Sequence, residues 1–162
     1  MTTIAVTGHM DLTEDSVPLV RDALDHLLKR HTDTELVGVS CIAKGSDSLF
    51  AEAVLAAGGR LVVVIPSQDY RQRKVKADHA PLFDRLVEAA CEVLVVDHET
   101  ADRAAYEAAN AVLLERADRL VAVWNGEPPS GKGGGTADVV IEAREAGVPV
   151  DVVWPHGAAR KA

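Results

Sequence analysis

The sequence predicts an α/β domain: a doubly wound, mainly parallel six-stranded sheet with helices on both faces. Two observations predict it. Six short apolar runs recur along the 162 residues, with a helix-period segment in nearly every gap. The runs are continuous rather than alternating, as expected of parallel strands covered on both sides. The length suits one domain with a proper core. The expected bounds are a single domain over 1–155 and a frayed C-terminal tail over 156–162.

The elements follow in order. Thr3-Ile4-Ala5-Val6-Thr7 reads as a buried strand that ends at the turn Gly8-His9. A helix follows, capped by Thr13 or Ser16, with Pro18 tolerated in its first turn. Its apolar face is Val17, Val20, Leu24, Leu27 and Leu28. The second strand is Leu36 to Ser40. The turn through Lys44 and Gly45 then leads to Ser46-Asp47, an N-cap pair, and to a helix that Gly58-Gly59 stops. The third strand, Leu61 to Ile65, closes at Pro66.

Residues 67–78 are polar and carry Arg71, Arg73, Lys74 and Lys76. Such a run reads as a solvated loop or as a lid over phosphate. A helix with Leu82, Phe83, Leu86 and Val87 comes next, then a strand from Val93 to Val96 that ends at Asp97-His98. A longer helix over 101–117 places Tyr106 and Asn110 four residues apart on one face. The fifth strand is Leu120 to Trp124. After a glycine-rich loop, Thr136 caps a last helix that stops at Gly147, and Val148 to Val153 is the sixth strand.

Right-handed crossovers bring every strand-to-helix turn to one edge of such a sheet. The turns at Gly8-His9, Lys44-Gly45-Ser46, Pro66-Ser67, Asp97-His98 and Asn125 to Thr136 are therefore expected to line one cleft, where doubly wound folds bind ligands. The loop is the feature most suited to an anion. Glycines admit close backbone approach, and a helix N-terminus favours negative charge. Its Gly126-to-Gly133 segment reads G-x-x-x-x-G-K-G, one residue short of a P-loop. Gly133 stands where a hydroxyl should hold Mg²⁺, and Pro128 and Pro129 remove two N–H donors. ATPase chemistry is set aside on those grounds. No G-x-G-x-x-G follows the first strand, so ordinary NAD binding is not indicated, and no cofactor is called for.

The formal net charge of −8 argues against broad contact with a phosphate backbone, so nucleic acid is expected to be an unlikely partner. Cys41 and Cys91 form no metal or redox motif and read as two buried free thiols. His9 and His98 sit at strand ends without the spacing of a metal site or catalytic dyad. No Gly-x-Ser-x-Gly elbow is present. No signal peptide is expected, and no apolar run approaches the roughly 20 residues of a membrane helix. A cytoplasmic location follows as an expectation.

Several segments together resemble the Rossmann-like SLOG superfamily. They are Thr7-Gly8-His9, Val39 through Asp47, Tyr106 with Asn110, Ala117 through Gly126, and Gly133 through Asp138. That group includes the Lonely Guy phosphoribohydrolases and the DNA-processing protein A family, and the resemblance covers nearly the whole chain. Lys44-Gly45-Ser46-Asp47 stands where the DNA-processing family has its Gly-x-Asp turn. The glycine loop is similar to the phosphoribohydrolase motif Pro-Gly-Gly-x-Gly-Thr-x-x-Glu. Gly133, Gly135 and Thr136 agree with it, whereas Gly131 stands at the proline, Lys132 at the first glycine and Val139 at the catalytic glutamate. Asp138 comes one residue early, a rotation of about 100° on a helix. Many relatives carry arginine after Thr-Gly-His, where this chain has Met10.

The resemblance and the turns together give a candidate ligand set of Thr7, Gly8, His9, Lys44, Gly45, Ser46, Asp47, Pro66, Trp124, Asn125, Gly126, Lys132, Gly133, Gly134, Gly135 and Thr136. Several have structural alternatives: N-capping for Asp47, a hydrogen bond within its own turn for Asn125, and core packing for Trp124. Asp47 and Asp138 are the candidates for an acid/base role. The leading expectation is a binder of a nucleotide or nucleotide-derived small molecule, acting as a sensor or carrier. The alternatives are a nucleotide N-glycosidic hydrolase and a protein-interaction domain with a vestigial pocket. A homodimer or higher homo-oligomer is expected only by analogy with the family.

Overall fold

The computed structural model describes residues 1–131, 133 and 135–162. The strands are β1 (Thr2–Gly8), β2 (Leu36–Ser40), β3 (Arg60–Ile65), β4 (Glu92–Val95), β5 (Arg119–Val123) and β6 (Val150–Val153). The helices are α1 (Ser16–Lys29), α2 (Ser46–Ala56), α3 (Tyr70–Lys74), α4 (Ala80–Ala89), α5 (Arg103–Arg116) and α6 (Thr136–Glu145). The sheet order is β4-β3-β2-β1-β5-β6, and every adjacent pair is parallel.

The chain starts in the middle of the sheet, walks outward to β4, then returns through α5 to place β5 on the other side of β1. In register, Ala5 faces Leu120 and Gly8 faces Val123. The reversal leaves a crevice outside the carboxyl ends of β1 and β5. On one face Ile4, Val6, Val121 and Val123 pack against Val20, Leu24, Leu49, Phe50 and Val54 of α1 and α2. On the other, Ala5, Val39, Val62 and Leu120 pack against Ala109 and Leu113 of α5 and Val139 and Ala143 of α6. Both faces of the central strands are thus dry, as their unbroken apolar runs require. The edge differs: Val93 and Val95 of β4 are exposed, because the outermost strand is covered on one side only.

Local signals were partly displaced. Gly45, not Ser46 or Asp47, is the N-cap of α2. Its φ of +89° and a backbone oxygen of Met10 lying 2.7 Å from where a Cβ would sit leave room for glycine alone. Gly135, not Thr136, is the N-cap of α6. The basic segment is not all loop, since α3 occupies its middle and buries Tyr70.

The tail is not frayed. Thr13 N–H donates to the Ala159 carbonyl at 3.0 Å, Lys161 N–H to the Asp11 carbonyl at 2.7 Å, and Ala159 N–H to Ser16 Oγ at 2.8 Å. Leu12 and Arg160 form an antiparallel bridge. Backbone pairing of this kind orders a terminus that composition alone leaves undecided. No helix among the described residues is long and apolar enough to cross a membrane.

Candidate functional site

A cleft of about 590 Å³ opens at the carboxyl edge of the sheet. β1 contributes Thr7 and Gly8, with His9 directly after it; Cys41 and Ala43 follow β2; and α2 gives Asp47. Pro66 follows β3, and Tyr70 and Lys74 come from α3. Tyr106 and Asn110 face it from α5, Trp124 from the end of β5, and Gly135, Thr136 and Asp138 from the start of α6.

Gly8 is required by packing. A Cβ there would lie 2.5 Å from Ser46 Cβ and 2.8 Å from Val123 Cβ. This contact brings the start of α2 against the end of β1. Ser46 is buried, and its hydroxyl donates to the His9 carbonyl at 2.7 Å. It therefore fastens the turn and does not face the cleft.

His9 is held on all sides. Its N–H donates to the Val123 carbonyl at 3.1 Å, and its ring meets Trp154 edge-on at 5.6 Å. Asn125 N–H donates to His9 Nε2 at 3.2 Å, while Asn125 Oδ1 accepts Glu127 N–H at 3.1 Å. Burial, then the Arg160 charge, lower the His9 pKa below its ordinary value. The Asn125 hydrogen bond and the charges of Asp11 and Glu127 oppose this more weakly. His9 is a neutral, structural ring at neutral pH.

The turn after β2 is strained. Ile42 has a φ of +48°, unusual for a β-branched residue. Its N–H donates to Ser40 Oγ at 2.9 Å, and its carbonyl accepts from His79 Nε2 at 3.0 Å and from Ser48 Oγ at 3.2 Å. Strain of this kind persists only where the surroundings hold it. Just beyond, burial pushes the pKa of Asp47 up to about 7, opposed more weakly by the Ala43 backbone. Burial and the Asp47 charge also raise the Cys41 thiol and the Tyr70 hydroxyl above their ordinary ranges.

The remaining candidates lie elsewhere. Lys44 pairs with Asp78 at 2.7 Å on the surface, outside the cleft. Asn125 and Gly126 are not among the lining residues, and Asn125 spends its side chain within its own turn. Gly133 has a φ of +76°, and a Cβ there would collide with the Arg103 guanidinium. Lys132 and Gly134 lie outside the described residues. The turn at Asp97-His98 meets Gln68 through the His98 carbonyl and does not line the cleft. Asp138 accepts Gly135 N–H at 3.0 Å, which occupies it as the cap of α6. Cys41 is half-buried at the cleft, but Cys91 is exposed, contrary to the expectation of two buried thiols. No metal cluster occurs among the described residues.

Two lining residues gave no sequence signal of their own. Tyr70 was hidden by its basic neighbours, although an aromatic in so polar a run is itself a cue to burial. Arg160 reaches the cleft only because the tail folds back.

No protein-family model and no curated protein matches the chain. Solved structures do. DNA processing protein A from Streptococcus pneumoniae superposes with a TM-score of 0.70 at 19% identity, covering 97% of this chain and 52% of that one. The chain thus spans about half the length of that protein. DNA processing protein A from Helicobacter pylori, described by its single-stranded DNA binding mode, gives 0.68 at 16% identity over 98% of this chain and 68% of that one. The molybdenum cofactor carrier protein of Chlamydomonas reinhardtii gives 0.56 at 19% identity over 93% and 75%. The Helicobacter pylori protein corrects the expectation that acidic charge sets nucleic acid aside. The same fold serves single-stranded DNA there, and the net charge of a domain does not describe the local field of one groove. This chain shares the Rossmann-like α/β fold of those proteins.

Proposed function

We propose that this domain binds a nucleotide or nucleotide-derived small molecule in the cleft and serves as a carrier or sensor. The cleft at the reversal between β1 and β5 carries this reading. Its volume is that of a small-molecule site, and it lies where open α/β sheets bind ligands. Thr136, which lines the cleft at the start of α6, would supply a phosphate contact; Lys132, Gly133 and Gly134 precede it in the sequence. The likeness to a cofactor carrier supports carriage. Among the described lining residues Lys74 and Arg160 face four carboxyl groups, Asp11, Asp47, Glu127 and Asp138. That balance favours ligands with one phosphate over triphosphates.

A second reading, N-glycosidic hydrolysis, is favoured by Asp47 alone. A carboxyl titrating near 7 inside a cleft suits acid/base work. Asp138 does not suit it, being engaged in capping.

A thermal-shift screen tests the proposal, using nucleoside mono-, di- and triphosphates, free bases and a single-stranded oligonucleotide. A ligand at a hundred times its dissociation constant adds about 2.7 kcal/mol, several degrees for a domain of this size. A selective shift with a mononucleotide is expected. Incubation followed by chromatography then separates binder from hydrolase by the appearance of free base. No shift with any nucleotide overturns the reading and turns the search to partner proteins.

A further inference from the structure

We infer that the inner wall of the cleft, where the Asp47 carboxyl lies with Tyr70 and Tyr106, is a heterocycle subsite for a ring bearing two adjacent N–H donors, as on the 2-amino-oxo edge of a guanine-type base. This rests on the cleft being the ligand site.

Asp47 sits in the first turn of α2 and lines the cleft. Among the described residues no Lys or Arg pairs with it. The turn that leads to it is held in place by Ser40, Ser48 and His79. An ionised carboxylate has about four lone-pair sites, so most are unspent. The half-buried carboxyl has no cation beside it and is open to a donor from a ligand in the cleft. The wall beside it is aromatic: Tyr70 and Tyr106 meet edge-on at 6.4 Å, and Pro66 lines the same cleft. A carboxylate repels phosphate, so the ring end of a ligand, not its phosphate, belongs beside Asp47. The geometry therefore asks for a planar group with paired donors. A ribose diol also offers paired donors to a carboxylate, but it has no flat face for the tyrosines.

The test is calorimetry at pH 8 with guanosine, inosine, adenosine and 2′-deoxyguanosine 5′-monophosphates. Inosine lacks only the 2-amino group, so wild-type protein should prefer the guanosine nucleotide by about tenfold, the worth of one hydrogen bond to a charged group. The deoxy compound should match it. Asp47→Asn keeps the shape and removes the half-buried charge, so the variant should fold. It should weaken the guanosine nucleotide about tenfold and bring the guanosine-to-inosine ratio near one. Wild-type affinity should also rise between pH 6 and pH 8 as the carboxyl ionises. The other titratable or charged groups on this cleft are Cys41 from β2, Tyr70 and Lys74 from α3, Tyr106 from α5, His9 and Asp11 after β1, Glu127 after β5, Asp138 from α6 and Arg160 from the tail. Of these, Cys41, Tyr70 and Tyr106 are raised away from neutrality, and His9 and Asp11 are lowered.

Equal affinity for guanosine and inosine nucleotides, or no change in Asp47→Asn, overturns the inference while leaving the cleft reading intact. Much weaker binding of the deoxy compound assigns Asp47 to the ribose and also overturns it. No binding of any nucleotide removes both.

Discussion

The Arg160 guanidinium donates through Nε to Asp11 Oδ1 at 2.8 Å, joining residues 149 positions apart. The pair ties the C-terminal tail to the turn that follows β1. It also sets a positive charge beside His9, the second largest influence on that ring. Arg160→Ala should therefore raise the His9 pKa toward its ordinary 6.5, as read by NMR titration of the ring. Both partners are half-exposed, so the loss of stability should stay within about 1 kcal/mol.

Asp47 makes stability depend on pH in an unusual direction. Its folded pKa of about 7 lies above the ordinary 3.8. Between those values the folded state holds a proton that the unfolded state has released. This contribution is full below about pH 4 and falls as pH rises toward 7, by up to about 4 kcal/mol. His9 acts with the opposite sign, because its lowered pKa leaves the unfolded state holding more protons below 6.5. The difference between wild type and Asp47→Asn isolates the carboxyl. In urea denaturation at pH 8 the variant should be the more stable, and its advantage should shrink by pH 5.

Gly8 is a packing residue. Gly8→Ala forces a methyl group against Ser46 Cβ and Val123 Cβ. The expected cost is about 1–3 kcal/mol of overpacking, or several degrees in Tm. An unchanged Tm would mean that α2 can retreat from the end of β1.

Asp138 is a cap. Asp138→Ala removes the acceptor of Gly135 N–H and an acidic group from the first turn of α6. A loss of about 0.5–1 kcal/mol should follow in thermal or urea unfolding. Asp138→Asn keeps an acceptor and should recover part of it.

The architecture was legible in the sequence because the sheet's chemistry is local. Runs such as Leu61 to Ile65 have no polar face, and only a strand between two helical layers uses them fully. Val93 and Val95 look the same in sequence, yet β4 lies at the sheet edge and leaves them exposed. Strand order is not written in a strand. For the site, Thr7, Gly8, Asp47, Pro66, Trp124, Gly135 and Thr136 could be nominated because right-handed crossovers send every turn to one edge. Whether a turn residue faces the cleft or a neighbouring turn depends on contacts from elsewhere in the chain. Ser46 is turned to the His9 carbonyl, Asn125 to His9 and Glu127, and Lys44 to Asp78.

By itself, then, the sequence determined the parallel α/β layering and the edge at which the strand-to-helix turns gather, since both follow from hydrophobic periodicity and chain handedness. Tertiary structure alone decided the electrostatics of the cleft. Arg160 arrives through backbone pairing of the tail with residues 11–13, and Tyr70 arrives through burial of α3. The pKa of Asp47 is set by how much water the surrounding walls exclude. Solvent exclusion is a property of packed surfaces from distant segments, and no local stretch of sequence encodes it.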